Sequence, residues 1–199
     1  MILYITVILL GMVGIAVMNY FVFMPETAIG FPLWLNIVGV VVSTIAVIAI
    51  DGGLAAIAHK FQNKINPFSK YFNVSKKEKR RLEKIGVRKF KDFLPDLGFL
   101  AKFPKGEVAQ PKNKDYVYLY IMESCSGEIG HLLGTVLGFL IIFLFPLKYV
   151  LCFGVPVGIV NFVLSLLPVF SLRYNRYKLT IVYRKLEKDE SVGLDKEEN

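Results

Sequence analysis

Four long apolar stretches constrain the fold of this 199-residue chain more than any other feature of its sequence. They run over residues 2–23, about 31–58, 116–145 and 149–172. Each is longer than the roughly 20 residues that an α-helix needs to cross the core of a bilayer. A backbone inside lipid must satisfy its own hydrogen bonds, and a helix does so within one segment. The sequence therefore predicts an all-α integral membrane protein with four transmembrane helices and a cytoplasmic helical insert between spans 2 and 3.

The first stretch is predicted to be retained as a transmembrane helix. It opens with Met1-Ile2-Leu3-Tyr4, without the basic residues that begin a signal peptide, and its apolar part is too long for one. In the fourth stretch, Pro156 and Pro168 predict kinks, which membrane helices tolerate when neighbouring groups bond the freed carbonyls.

The distribution of charge predicts the orientation of these helices. Residues 59–115 contain 16 Lys and Arg against 6 Asp and Glu, and the tail from Ser171 adds 7 basic residues. The two other connections carry a single basic residue between them, Lys148. Because basic loops stay on the cytoplasmic side, we expect a multi-pass cell-membrane protein whose N- and C-termini are both cytoplasmic.

We divide the chain into four parts on this basis. Residues 1–58 form an N-terminal transmembrane hairpin, 59–115 a basic cytoplasmic or interfacial insert, 116–180 a C-terminal transmembrane hairpin, and 181–199 a charged tail. Attraction to anionic lipid headgroups accounts for the charge of the insert. No nucleic-acid recognition motif accompanies this charge, so nucleic acid is not an expected partner.

The insert contains signals for two short helices. Residues 75–78, Ser-Lys-Lys-Glu, match a capping box, which predicts a helix that stops at Gly86. A second helix is predicted over residues 87–94, before Pro95. Its apolar face either lies in the membrane interface or packs on the helix bundle. Residues 101–115 are predicted to be a loop.

The third stretch carries the residues that we predict to be catalytic. As a helix from Tyr116 it measures about 45 Å against a hydrocarbon core of about 30 Å, so its first turns lie in the headgroup zone or the cytoplasm. Glu128 and His131 are neighbours on one face, and Glu123 falls within the same arc of about 140°. A carboxylate beside a histidine orients the ring and favours its protonated form. We predict His131 as general base, Glu128 as its orienting partner, and Glu123 as a second carboxylate for substrate hydroxyls or proton relay.

Polar residues of the neighbouring spans belong to the same cytoplasmic-side layer. Asp51 lies near the end of the second span, and Arg173, Asn175 and Arg176 follow the fourth. We predict these four residues to bind substrate, because guanidinium groups hold phosphates bidentately. The combination is typical of acyl transfer to an alcohol at a membrane surface. Acyl-CoA or an acyl carrier protein would be the donor and a membrane lipid or glycolipid the acceptor, with no bound cofactor or metal expected.

Other interpretations of these residues stay open. In one, Glu128 and His131 only interact with the positive end of a helix dipole and have no catalytic role. In another, the protein is a non-enzymatic membrane module that binds anionic lipid or a partner through the basic insert. If Glu123, Glu128 and His131 hold zinc or iron, the protein is a metal-dependent membrane hydrolase. Cys125 and Cys152 are interpreted as buried free thiols.

Three motifs, taken in their order along the chain, resemble the glycosyl-4,4'-diaponeurosporenoate acyltransferases. The motifs are residues 75–78 with 84–95, residues 123–125 with 128–131, and residues 173–179. The resemblance spans roughly residues 65–180. It implies a small integral membrane enzyme of staphyloxanthin-type carotenoid biosynthesis, which transfers a fatty acyl group to a sugar hydroxyl on a glycosylated C30 carotenoid.

Overall fold

A computed structural model describes residues 2–22, 32–94 and 108–197, and this part of the chain is all-α, without a strand, as predicted. Its helices are α1 (Ile2–Val22), α2 (Leu33–Lys60), α3 (Lys76–Ile85), α4 (Val87–Phe90), α5 (Lys114–Leu137), α6 (Leu147–Tyr149) and α7 (Val155–Glu197). The connection between the first two apolar stretches, Pro95, and residues 101–107 of the predicted loop lie outside the described residues.

Four helical segments of the described chain are long and apolar enough to cross a membrane, which is the number predicted from the sequence. They are Ile5–Val22, Leu33–Lys60, Lys114–Leu144 and Leu147–Ser191. The third segment is α5 extended by the 3-10 helix Gly138–Leu144, where a continuous α-helix was predicted. The fourth segment joins α6 to α7 through the π-helical turn Val150–Gly154.

Helix α7 is much longer than the sequence analysis predicted. Its apolar stretch ends at Leu172, but the helix continues to Glu197 and includes Pro168. No glycine or proline occurs between Pro168 and Gly193, and Leu, Arg, Lys and Glu are frequent there. These residues favour helix, so the loss of hydropathy ends the apolar stretch without ending the helix.

The first of two compact units comprises Met1–Ile57 and Ile129–Leu167. Its core consists of buried apolar residues of α1, α2 and the last two apolar segments: Ile15, Val40, Val47, Ile141, Cys152, Phe153 and Val157. Dispersion contacts and close packing hold such a core together where water is scarce.

Two buried asparagines cross-link this first unit. Asn19 Nδ2 donates to Asn36 Oδ1 (3.0 Å) and to the carbonyl of Cys152 (2.9 Å), and Asn36 Nδ2 donates to the carbonyl of Ala16 (2.8 Å). The Cys152 carbonyl belongs to the π-helical turn, where the regular α-helical hydrogen-bond ladder is interrupted. A buried carbonyl without a donor is costly, so Asn19 stabilises this turn.

The second unit comprises Ala58–Glu128 and Pro168–Asn199. In it the predicted ends of α3 are confirmed. Ser75 Oγ accepts a hydrogen bond from the Glu78 N–H (3.1 Å), and Gly86 ends the helix in the left-handed region with φ of +90°. A residue with a Cβ is strained in this conformation, so glycine is the natural choice at position 86.

The second predicted helix of the insert is formed by α4 and the 3-10 turn Lys91–Phe93. Val87 is buried in a cluster with Leu82 and Tyr174, and Phe90 packs against that cluster. Phe93 stays exposed. The apolar face therefore packs in part on α7, while its last aromatic ring, that of Phe93, does not join this cluster.

Candidate active site

The second unit contains a fully buried carboxylate. Glu128, near the middle of α5, has no exposed side-chain surface and pairs with two arginines of α7. Arg173 Nη1 donates to Glu128 Oε1 (2.6 Å), and Arg176 Nη2 donates to Glu128 Oε2. Because a buried charge is stable only when it is paired and hydrogen-bonded, the two arginines account for the burial of Glu128.

Arg173 connects this pair to the basic insert. Its Nε donates to Glu78 Oε1 (2.5 Å), and its Nη2 donates to the carbonyl of Tyr71 (3.2 Å). Glu78, predicted to close the capping box, therefore directs its carboxylate to α7. Partial burial and the negative charge of Glu128 raise the pKa of Tyr71 above its ordinary value, so this phenol stays protonated beside the carboxylate.

Arg176 is enclosed by protein on every side. Its side chain is 0% exposed, its Nη1 lies 3.4 Å from Cys125 Sγ, and its guanidinium stacks on the Phe72 ring with 5.3 Å between Cζ and the ring centroid. Its Nε is buried without a hydrogen-bond partner among the described residues. In this conformation Arg176 holds Glu128 and cannot touch a donor phosphate, whereas the side chain of Arg173 is 17% exposed.

Glu123 has a partner that the sequence analysis did not assign. Its Oε2 lies 3.6 Å from Nδ1 of His59, with 16% of the Glu123 side chain and 55% of the His59 side chain exposed. This separation is too long for a hydrogen bond. The pair is a partly exposed polar contact, of a kind that contributes little to stability.

A second polar cluster lies in the first unit around Asp51. Its Oδ2 accepts from Ser165 Oγ (2.9 Å) and its Oδ1 from Asn161 Nδ2 (3.3 Å). Asn161 Nδ2 also lies 3.3 Å from the carbonyl of Gly134 on α5. Asn161 and Ser165 are buried and Asp51 is half-buried.

His131 lies in the same unit, close to this cluster along α5. It precedes Gly134 by three residues, so the two share a face of the helix. That face borders Asp51, because a Cβ placed on Gly134 would lie 2.7 Å from Asp51 Oδ1. The His131 side chain is half-buried, and its carbonyl accepts from Thr135 Oγ1 (2.7 Å).

The structure thus groups the predicted site residues in two sets. Glu128, Arg173 and Arg176 meet in the second unit, where Glu123 contacts His59. Asp51 and His131 belong to the first unit, and Asn175 lies half-buried on α7. No group of three or more His, Cys, Asp and Glu side chains is arranged to hold a metal in residues 2–22, 32–94 and 108–197. Both cysteines are buried free thiols, as predicted.

A sequence profile of the glycosyl-4,4'-diaponeurosporenoate acyltransferase family matches residues 62–185, more than half of the chain. The chain belongs to this family. The membership indicates an acyltransferase of carotenoid biosynthesis. No curated protein and no solved structure matches the chain.

The family match covers every predicted site residue except Asp51. Glu123, Glu128, His131 and the α7 residues at 173–176 fall within residues 62–185, whereas Asp51 and His59 precede them.

Sequence reasoning missed the roles of Glu78, Asn161 and Ser165. For Asn161 a signal was present, since an amide inside an apolar stretch is costly without a polar partner.

Proposed function

We propose that this protein is a membrane acyltransferase that moves a fatty acyl group from a thioester donor to a sugar hydroxyl of a glycosylated C30 carotenoid. Acyl-CoA or an acyl carrier protein would supply the acyl group. Family membership supports the reaction class, and the four apolar helices support a location in the cell membrane. The observation that carries the site is the position of His131, one turn from the α5 surface that borders Asp51.

His131 acts as the general base in this proposal. The ring takes the proton of the acceptor hydroxyl while that oxygen attacks the carbonyl carbon of the thioester. The tetrahedral adduct collapses with cleavage of the C–S bond, and the proton passes to the departing thiolate. An ester and a free thiol are the products. The roles predicted for Glu128, as orienting partner, and for Glu123, as a second carboxylate for substrate hydroxyls or proton relay, stay predictions, and both oxygens of Glu128 are paired with arginines.

Arg173 and Asn175 are proposed to bind the phosphate-bearing acyl donor. Arg173 is the partly exposed arginine of the pair that holds Glu128, and a guanidinium recognises phosphate with two parallel hydrogen bonds. Arg176 would act indirectly, because its burial leaves it in contact with Glu128 and not with a ligand.

The insert is proposed to bind anionic lipid headgroups on the cytoplasmic side. Basic side chains are exposed on α3: Lys76, Lys77, Arg80, Arg81 and Lys84. Each basic residue near an anionic surface contributes about 1 kcal/mol to attraction. The same surface would be sufficient for a non-enzymatic lipid-binding module, so only an activity measurement separates these two functions.

The base assignment is tested with the two histidines of the chain. We expect His131→Ala to lower acyl transfer about 10²–10⁴-fold, measured with labelled acyl-CoA and glycosylated carotenoid in proteoliposomes. His59→Ala is the matched control, because that ring is mostly exposed and its contact with Glu123 is long. Full activity of folded His131→Ala would refute the assignment, and loss with His59→Ala alone would transfer the role to His59.

A further inference from the structure

Asp51 is separated from the start of α2 by about the thickness of the hydrocarbon core of a bilayer. It follows Leu33, the first residue of α2, by eighteen residues, which corresponds to about 27 Å along a helix. A hydrocarbon core is about 30 Å thick. If α2 enters this core at Leu33, Asp51 reaches its opposite boundary, which the charge distribution places on the cytoplasmic side. An ionisable group at such a depth is costly and by default functional.

The hydrogen bonds of Asp51 leave capacity for a ligand. An ionised carboxylate has about four lone-pair sites, and the described contacts are one bond from Ser165 and one from Asn161. Asp51 as a whole is half-buried. Next to it, Gly52 and Gly53 are exposed and have no neighbouring atom within 4 Å of a Cβ position. Helix α2 is therefore uncovered at the two positions that follow Asp51.

Two glycines of the third apolar segment leave room for the cluster of Asp51, Asn161 and Ser165. A Cβ at Gly134 would lie 2.7 Å from Asp51 Oδ1, and a Cβ at Gly138 would collide with Asn161 Nδ2. Asn161 of α7 already donates to the Gly134 carbonyl of α5. This hydrogen bond joins the two helices without Asp51, so helix packing alone does not explain the carboxylate. Because these two positions lack side chains, the polar groups of Asp51 and Asn161 can lie directly against α5 and the 3-10 helix that follows it.

We propose that Asp51, supported by Asn161 and Ser165, binds hydroxyl groups of the acceptor's sugar. This inference rests on the proposed function and names the acceptor site of the same reaction. A carboxylate accepts hydrogen bonds from sugar hydroxyls at the polar boundary, while the apolar polyene of the acceptor remains in lipid. His131 shares a helix face with Gly134 beside Asp51, so a second hydroxyl of the same sugar comes within reach of the base.

The test measures binding and does not depend on acyl transfer. Detergent-solubilised protein is titrated with glycosyl-4,4'-diaponeurosporenoate and, separately, with the unglycosylated acid. Quenching of Trp34, the one tryptophan of the chain, reports binding. Partition into the micelle is the same for wild type and variants, so it cancels when the ratio of the two Kd values is compared between them. We expect the wild type to prefer the glycosylated pigment, and Asp51→Asn to reduce that preference about 10-fold or more.

Two further variants separate recognition from folding. Gly134→Ala displaces the carboxylate without changing its chemistry and should also reduce the preference, whereas Gly14→Ala, with nothing within 4 Å, should keep it. An Asp51→Asn variant that folds and keeps the wild-type ratio would overturn the proposal, as would a wild type that binds both pigments equally. A wild type that prefers the glycosylated pigment but transfers no acyl group would support this site and refute the proposed function.

Discussion

Glu128 and Arg176 are both fully buried, and each depends on the other for its charge to be tolerated. Their situations differ, however. Glu128 also binds Arg173, which in turn binds Glu78, so the carboxylate has a second cation. Arg176 contacts Cys125 and Phe72 besides Glu128, and neither of these carries a compensating negative charge. The loss of one partner is therefore not equivalent to the loss of the other.

We predict that Glu128→Gln destabilises the protein more than Arg176→Met. Removing the carboxylate leaves a buried guanidinium uncompensated, at a cost of about 3–5 kcal/mol, whereas Arg176→Met leaves Glu128 paired with Arg173. Denaturant unfolding in detergent, followed by circular dichroism, gives the free energies. Glu190→Gln, which breaks the exposed pair with Lys114, is the control and should change stability little. Equal effects of Glu128→Gln and Glu190→Gln would contradict the role of the buried pair.

Three residues of this cluster were candidate site residues in the sequence analysis, but their pairing with one another was not predicted. Glu128, Arg173 and Arg176 were predicted to be site residues, because ionisable groups beside apolar stretches are costly to bury and are therefore expected to have a function. Periodicity along α5 relates Glu128 only to residues of its own helix. The arginines lie 45 and 48 residues further along the chain, and a pairing across that distance depends on tertiary packing. The same limit explains why His59 was not assigned to Glu123.

At the level of secondary structure, α3 is the element whose ends were most fully predicted. Local chemistry sets both of them: Ser75 accepts from the Glu78 N–H, and Gly86 adopts φ of +90°. The ends of α5 and α7 were predicted less well, since the apolar pattern reports hydropathy and not helix termination. The polar extension of α7 is favoured by helix-forming residues but has no apolar pattern, and no capping signal marks the change to a 3-10 helix after Leu137.

Both ends of α3 should be sensitive to small substitutions. Ser75→Ala removes the capping acceptor and should cost about 1 kcal/mol. Gly86→Ala forces a Cβ into the left-handed region and should cost about 1–2 kcal/mol, although the space around it is open. Hydrogen exchange of residues 76–85 measures both effects as faster exchange. Gly14→Ala, at a helical glycine without positive φ, should leave exchange in α3 unchanged. Protection of α3 that is unaffected by either cap variant would contradict this account.

For the whole molecule, composition was sufficient to predict the class of fold and the number of candidate spans. Apolar stretches of this length have few alternatives to membrane helices, and the described chain contains four of them. What composition cannot predict is where polar side chains inside these stretches meet. Asn19 with Asn36, and Asp51 with Asn161 and Ser165, are brought together by helix packing.

The orientation of the chain in the membrane is predicted by the distribution of its basic residues. The insert and the tail are rich in Lys and Arg, and the connection after the third span contains Lys148 alone, so we expect the insert inside and Lys148 outside. Both native cysteines are buried and can be replaced by alanine, after which Lys112→Cys and Lys148→Cys place single thiols at exposed positions. A membrane-impermeant maleimide should label Lys148→Cys on intact cells and Lys112→Cys only in inverted vesicles. The reverse pattern would place His131 and the basic insert on the outer side, where acyl-CoA is absent, and would refute the proposed donor together with the topology.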